Sequence, residues 1–245
     1  STSIKKISVA EKPAIAFVSG HGEPGLDMMP QVNAALSILY EVEDINLSDT
    51  ALVPDKYKTI AIVAPNDSFT TGQLQMLDQF LGRGGNLLIA LNRVTADFSN
   101  LAGSVINTGL ESWLQMKGVT VEDNFILDTR CGAVTVQQQQ GFFRFANNIQ
   151  FPYLPIIQKF AEHPITKGLE SVIMQFASPI TFSGDTSTTF TPIAFSSEKS
   201  GTAKAPLFLD IQKKWTETDF PMRNLSVAGI LQGRIAGSNF ARIII

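Results

Sequence analysis

Cysteine is nearly missing from this chain. Cys131 is the sole thiol among 245 residues, which excludes an intramolecular disulfide and a cysteine-based zinc site. Histidine is almost as scarce. His21 and His163 are the whole supply, with no H-x-x-x-H spacing, so no metal centre and no cofactor are expected. Charge is thin: 17% of residues are charged, against ~25% in a typical globular domain. The net charge is −3, and the only basic pairs are Lys5-Lys6 and Lys213-Lys214. Without a basic face to neutralise phosphates, nucleic acid is not expected as a partner. No apolar run reaches the ~18–20 residues of a membrane span, and no signal peptide opens the chain. A phosphate-binding P-loop and the G-x-S-x-G elbow of serine hydrolases are both absent.

What is present is a soluble-type composition, 44% hydrophobic, with strands and helices alternating in the first half. Ala14–Val18 is a short apolar run closed by Ser19-Gly20, the pattern of a buried parallel strand. Met29, Val32, Leu36 and Leu39 recur at spacings of three and four, which predicts a helix over about Asp27–Tyr40. Val42–Leu47 and Lys58–Ala64 read as strands. Thr70 and Gln73 stand at capping-box spacing before a helix over Thr71–Arg83, closed by Gly84-Gly85. Asn86–Leu91 is the next strand. Thr108 and Glu111 repeat the capping spacing before a short helix ended by Gly118. Val119–Val121 and Phe125–Leu127 follow as strands.

This alternation predicts an α/β fold, a three-layer sandwich around a mostly parallel sheet. The later sequence is richer in strands. A hairpin is expected at about 133–150, carrying the run Gln137–Gln140 and the aromatic set Phe142, Phe143 and Phe145. A short helical turn is expected near Ile156–Phe160. Strand-like runs follow at Val172–Phe176, Ile180–Phe182, Ile193–Phe195, Leu207–Ile211, Leu225–Ile230 and Ala241–Ile245. We therefore expect one domain over residues 1–245, with an α/β core over 1–130 and a β-rich half over 131–245 completing the sheet. The start at Ser1 and the stop inside an apolar β-branched run at Ile245 suggest cuts within a longer chain.

The segment Ser19-Gly20-His21-Gly22-Glu23 follows the first strand, at the edge where open α/β sheets bind ligands. It reads as a tight turn, as a binding loop, or as an acid–base pair of His21 and Glu23. Asn66 and Asp67 follow the third strand, and Asn92 and Arg93 the fourth. These six residues would ring one cleft suited to a polar ligand or a partner's loop; Asn66 and Asp67 read equally well as turn residues, with Asp67 capping the next helix. Cys131 reads as a partly buried residue after a strand, the alternative being a reactive thiol activated by Arg130. His163, before Pro164, reads as surface.

The string from Lys12 through Glu23 resembles the opening of the gliding-motility-type (GldG-like) ABC transporter auxiliary domain. Asn46-Leu47, Val53-Pro54-Asp55, Leu77–Leu81, Gly84–Leu88, Leu114, Gly118-Val119, Asp128, Val227-Ala228 and Arg242–Ile245 continue the likeness in order. The resemblance implies a flavodoxin-like fold of the class I glutamine amidotransferase type. It implies an extracytoplasmic, periplasmic domain of a membrane-anchored protein that works with ABC permease and ATPase subunits, in some bacteria in a system associated with gliding. The amidotransferases keep a nucleophilic cysteine after a core strand. Here Asn92-Arg93 stands at the comparable point, which implies a non-catalytic module. The alternatives are a hydrolase or amidotransferase-like enzyme using His21 with Glu23 or Cys131, and a structural assembly scaffold.

Overall fold

The computed structural model describes residues 12–140 and 143–245. The parallel part of the main sheet begins with β1 (Ala14–Ser19), β2 (Glu41–Asn46), β3 (Tyr57–Val63) and β4 (Asn86–Ala90), of which β1, β3 and β4 are apolar runs and β2 is a mixed edge strand. β1 lies between β2 and β3, with Val18 opposite Ile45 and Ala16 opposite Ile60, and β3 pairs with β4 through Ile62 and Ile89. Ile60, Ile62, Leu87 and Ile89 are wholly buried. Removing apolar surface of this kind from water contributes about 25 cal/mol per Å².

Three α-helices occur among the described residues: α1 (Pro30–Leu36), α2 (Thr71–Gly82) and α3 (Leu110–Gln115). The start of α2 follows its local signal. The Thr70 hydroxyl accepts the Gln73 amide N–H at 3.1 Å, and the Gln73 side chain accepts the Thr70 amide N–H at 2.9 Å. Met76, Leu77, Phe80 and Leu81 face inward. At α3 the Glu111 carboxylate accepts the Thr108 and Gly109 amides at 3.2 and 3.1 Å. Trp113 and Leu114 are buried. The helix expected over Asp27–Tyr40 is reduced to a 3₁₀ turn, Leu26–Met28, and the seven residues of α1, none of them buried. Pro30 sets the start of α1, since its ring suits the first helical position. α1 follows β1 near the edge strand β2, where its apolar spacing meets no core to face; Val32 is 44% exposed.

The remaining strands are β5 (Val94–Asp97), β6 (Ala102–Val105), β7 (Val119–Val121), β8 (Asn124–Asp128), β9 (Cys131–Gln140), β10 (Phe143–Ile157), β11 (Lys159–Phe160), β12 (Val172–Ile173), β13 (Ile180–Phe182), β14 (Thr188–Phe195), β15 (Ser200–Lys204), β16 (Leu207–Phe208), β17 (Ser226–Gly233) and β18 (Ala241–Ile244). The main sheet has eight strands in the order β11-β14-β17-β18-β4-β3-β1-β2. β18 runs parallel to β4, while β17, β14 and β11 add on in antiparallel fashion. Smaller sheets join β12 to β10 and β9, β13 to β7, β15 to β8, and β16 to β6 and β5.

This arrangement overturns the mostly parallel three-layer sandwich, and with it the flavodoxin-like and class I glutamine amidotransferase-like expectation. The chain is β-rich and its main sheet is mixed. The physical reason lies in the connections. Parallel neighbours need long crossovers, usually helical, whereas antiparallel neighbours need only tight turns. A twelve-residue helix, α2, serves the crossover from β3 to β4. Between β4 and its parallel neighbour β18 the chain instead runs through a succession of antiparallel strand pairs, with α3 as its single α-helix among the described residues. Ile156–Phe160, expected as a helical turn, is the end of β10 and all of β11. β5, β6 and β15 carry too few apolar alternations to stand out in the sequence. Phe142 lies outside the described residues, as do the side chains of Phe143 and Phe145. Among the described residues no helix is long and apolar enough to cross a membrane.

Candidate functional site

β1 and β3 lie side by side, and the loops that follow them, 20–25 and 64–70, are tied together. The His21 carbonyl accepts the Asn66 and Asp67 amides at 2.8 and 2.9 Å. The Asn66 side chain donates to the Gly22 carbonyl at 3.3 Å. Gly22 has φ +79°, and a Cβ there would sit 3.2 Å from the Asn66 Cβ, so glycine is needed for the two loops to approach this closely.

His21 is turned inward, 5% exposed. Its ring lies flat on Phe69, with centroids 3.8 Å apart. Its Nε2 meets Gln73 Oε1 at 3.0 Å. The amide of Gln73 is oriented by its other contacts: its NH₂ donates to the Leu47 carbonyl at 3.1 Å, and Oε1 also accepts the Thr70 amide. His21 Nε2 is therefore the donor to Gln73. The other ring nitrogen, Nδ1, lies 3.3 Å from Glu23 Oε1, with the Glu23 side chain 1% exposed. Neither atom has an aligned hydrogen bond, so this is a close contact rather than a directed bond. Glu23 Oε2 accepts the His21 amide at 2.6 Å. Together, Phe69, Gln73 and Glu23 make His21 the pin that fastens the first loop to the head of α2.

The other expected residues sit around this pin. Asn66 and Asp67 are exposed at the loop surface. Asp67 does not cap α2; Thr70 does. Arg93 Nη1 donates to the Ile106 carbonyl and to Asn107 Oδ1, the latter at 2.8 Å. The Asn107 carbonyl in turn accepts the Ser68 hydroxyl at 3.3 Å, so Arg93 connects to the Asn66–Asp67 loop through Asn107. Asn92 faces elsewhere. Its side chain donates to the Gln175 carbonyl at 3.0 Å and lines an apolar cleft of about 330 Å³ with Leu91, Ala177, Ile180, Val227 and Ile245. The structure thus brings His21, Glu23, Asn66 and Asp67 into one assembly, joins Arg93 to it at one remove, and turns Asn92 to the apolar cleft. Phe69 and Gln73 complete the assembly. Gln73 is legible in the sequence as a cap, but nothing local shows that it also holds His21.

Gly20, Gly22 and Gly25 stand at G-x-G-x-x-G spacing. Its context does not fit a dinucleotide site. That motif needs an α-helix opening at the third glycine, whereas only the single 3₁₀ turn Leu26–Met28 opens at Gly25 and α1 begins at Pro30. The Glu23 carboxylate also occupies the His21 amide that a phosphate would use.

A family model for the ABC-type uncharacterized transport system matches residues 12–242. The chain belongs to this family. It is an auxiliary component of an ABC-type transport system. No curated protein matches the chain in sequence. Among solved structures, the mmIFT52 N-terminal domain is similar at a TM-score of 0.60 and 12% identity, over 94% of this chain and 85% of that one. That likeness shows the fold alone. A putative ThuA-like protein from Parabacteroides merdae ATCC 43184 aligns at a TM-score of 0.48 and 9% identity, over 96% of this chain and 78% of that one. The exo-β-1,4-mannosidase Op5Man5 from Opitutaceae bacterium strain TAV5 aligns at 0.39 and 13%, over 96% of this chain and 31% of that one. At these scores neither bears on function.

Cys131 stands apart from the His21 assembly. It opens β9 and lines a separate cavity. Burial pushes its thiol above the usual range; an amide contact from Phe151 opposes this, and the nearby Asp128 charge adds to it. Arg130, which would favour the thiolate, is directed to Gln158 at 3.5 Å.

Proposed function

We propose that this domain is a non-catalytic, extracytoplasmic binding module of its ABC transport system. Its parent would be anchored in the membrane, and the exposed loop at Asn66 and Asp67 would engage the permease subunit, with the ATPase coupled through the permease. The single observation that supports this reading is the engagement of His21. The best acid–base group in the sequence is closed in by Phe69, Gln73 and Glu23, so it shapes a surface rather than facing a substrate. A general base must reach the proton it removes; here Nε2 is bonded to Gln73 and the whole ring is buried flat against Phe69. A hydrolase using His21 with Cys131 gains no support, because Cys131 lines a different cavity and burial disfavours its thiolate.

The test is a photo-crosslinking residue placed at Asn66 or Asp67 of the full-length protein in its host. Crosslinks to the permease and digestion by protease added outside the cytoplasmic membrane are expected. Crosslinks confined to cytosolic proteins would overturn the location. Hydrolysis of glutamine or simple esters that disappears in His21→Ala would overturn the non-catalytic reading. The finer association with gliding predicts that deleting the parent gene in a gliding host stops movement, and normal movement would reject it.

A further inference from the structure

A cavity of about 450 Å³ opens where β9 and β10 come apart, within the ~300–1,000 Å³ range of small-molecule sites. Gln150 pairs with Ala133, and the next pair is Pro155 with Cys131. β10 therefore carries extra residues that bulge from the ladder. Alternation along the bulge sends Phe151 and Tyr153 into a buried cluster, 1% and 5% exposed. It leaves Gln150 and Pro152 on the cavity wall.

The facing wall is aromatic. Trp215 and Phe220 line it with ring centroids 5.8 Å apart. Tyr153 meets Trp215 edge-on at 5.7 Å, and the Lys213 ammonium lies 4.1 Å from its ring centroid. Lys213 is itself held by Asp219 at 2.7 Å, so the indole is fixed from two sides. The rim carries Thr129 and the ion pair of Lys199 with Glu217, 2.9 Å apart.

We propose that this cavity binds a neutral saccharide. Its apolar ring face would lie against Trp215 and Phe220, and its hydroxyls would bond to Gln150, Thr129 and the Lys199–Glu217 pair. Elimination supports the class. The two rim charges cancel, so an anion would meet Glu217 and a cation would meet Lys199. A purely apolar ligand would strip water from Gln150, Thr129 and the ion pair and give no hydrogen bond in return. A sugar ring offers a flat C–H face together with hydroxyls that both donate and accept, matching each group present. The site is separate from the loop at Asn66 and Asp67 and does not rest on the transporter reading.

The experiment titrates the chain with glucose, mannose, N-acetylglucosamine and maltose, followed by tryptophan fluorescence and calorimetry. Trp113 is the only other tryptophan and is 1% exposed, so a sugar-dependent signal reports Trp215. Saturable binding of at least one sugar with a Kd of about 10 mM or tighter is expected. Trp215→Ala and Gln150→Ala should each weaken it at least about tenfold, with the exposed Lys58→Ala on β3 unchanged. Gln150→Ala answers the question if Trp215→Ala does not fold. The proposal is overturned if no sugar in the panel saturates. It is also overturned if the folded variants bind as the wild type does, or if glucuronate or glucosamine binds more tightly than the neutral sugars.

Discussion

Replacing His21 by alanine would test the central structural claim, that this histidine pins two loops to α2. Three interactions go at once: the stack on Phe69, the bond to Gln73 and the 3.3 Å contact with Glu23. The stack contributes about 0.5–1.5 kcal/mol beyond its buried area, and a hydrogen bond of this kind about 1 kcal/mol. The larger effect is on Glu23. Its side chain is 1% exposed, and once His21 is gone its carboxylate keeps the backbone amide of residue 21 but no side-chain partner. Leaving a buried polar group without its neighbour costs about 1–3 kcal/mol, on top of the stack and the hydrogen bond. At about 2–4 °C per kcal/mol for a domain of this size, Tm should fall by on the order of 10 °C. Urea unfolding of His21→Ala, Glu23→Gln and the double variant measures it. Glu23→Gln in the His21→Ala background should recover part of the loss, because it removes the stranded carboxylate. A loss below about 1 kcal/mol in His21→Ala, or no coupling between the two sites, would refute the pin.

Thr70→Ala should cost about 1 kcal/mol in the same assay, because the hydroxyl caps Gln73 and also contacts Asp49; an unchanged denaturation midpoint would contradict the cap. Asp219 titrates at about 2, held down first by Lys213 and then by the Thr216 amide and hydroxyl. A carboxyl lowered in the folded state adds stability above its ordinary value of 3.8 and loses it as pH falls through about 2. NMR titration should therefore place its midpoint near 2, and Lys213→Ala should move it upward; a midpoint at the ordinary value would show the contact to be absent. Cys131, with its thiol raised by burial, should react with iodoacetamide more slowly at neutral pH than a free thiol, and equal or faster alkylation would count against the burial.

How much was legible depends on the range over which each signal acts. α2 was readable to within a residue, because Thr70, Gln73 and Gly84 act on backbone groups a few positions away. The apolar runs of β1, β3 and β4 were readable because a short run too brief for a helix has few other solutions. α1 was not. Its spacing describes a face, but only the neighbouring sheet decides whether anything covers that face. The His21–Glu23 pair stood out as a loop after a strand, yet its partners Phe69 and Gln73 lie about fifty residues further along the chain. The cavity at Trp215 had no signal at all, since it arises from a change of register between β9 and β10.

Taken alone, the sequence determined that one cysteine leaves no intramolecular disulfide, and it determined the parallel strands β1, β3 and β4, the well-capped helix and the family likeness. All of these depend on local chain chemistry or on residue order. Tertiary structure alone decided the mixed sheet, because strand direction in the second half depends on which distant edges meet. It also decided the role of His21. The same side chain on an open loop would be a candidate base, and here the packing of Phe69, Gln73 and Glu23 around it makes it a fastening.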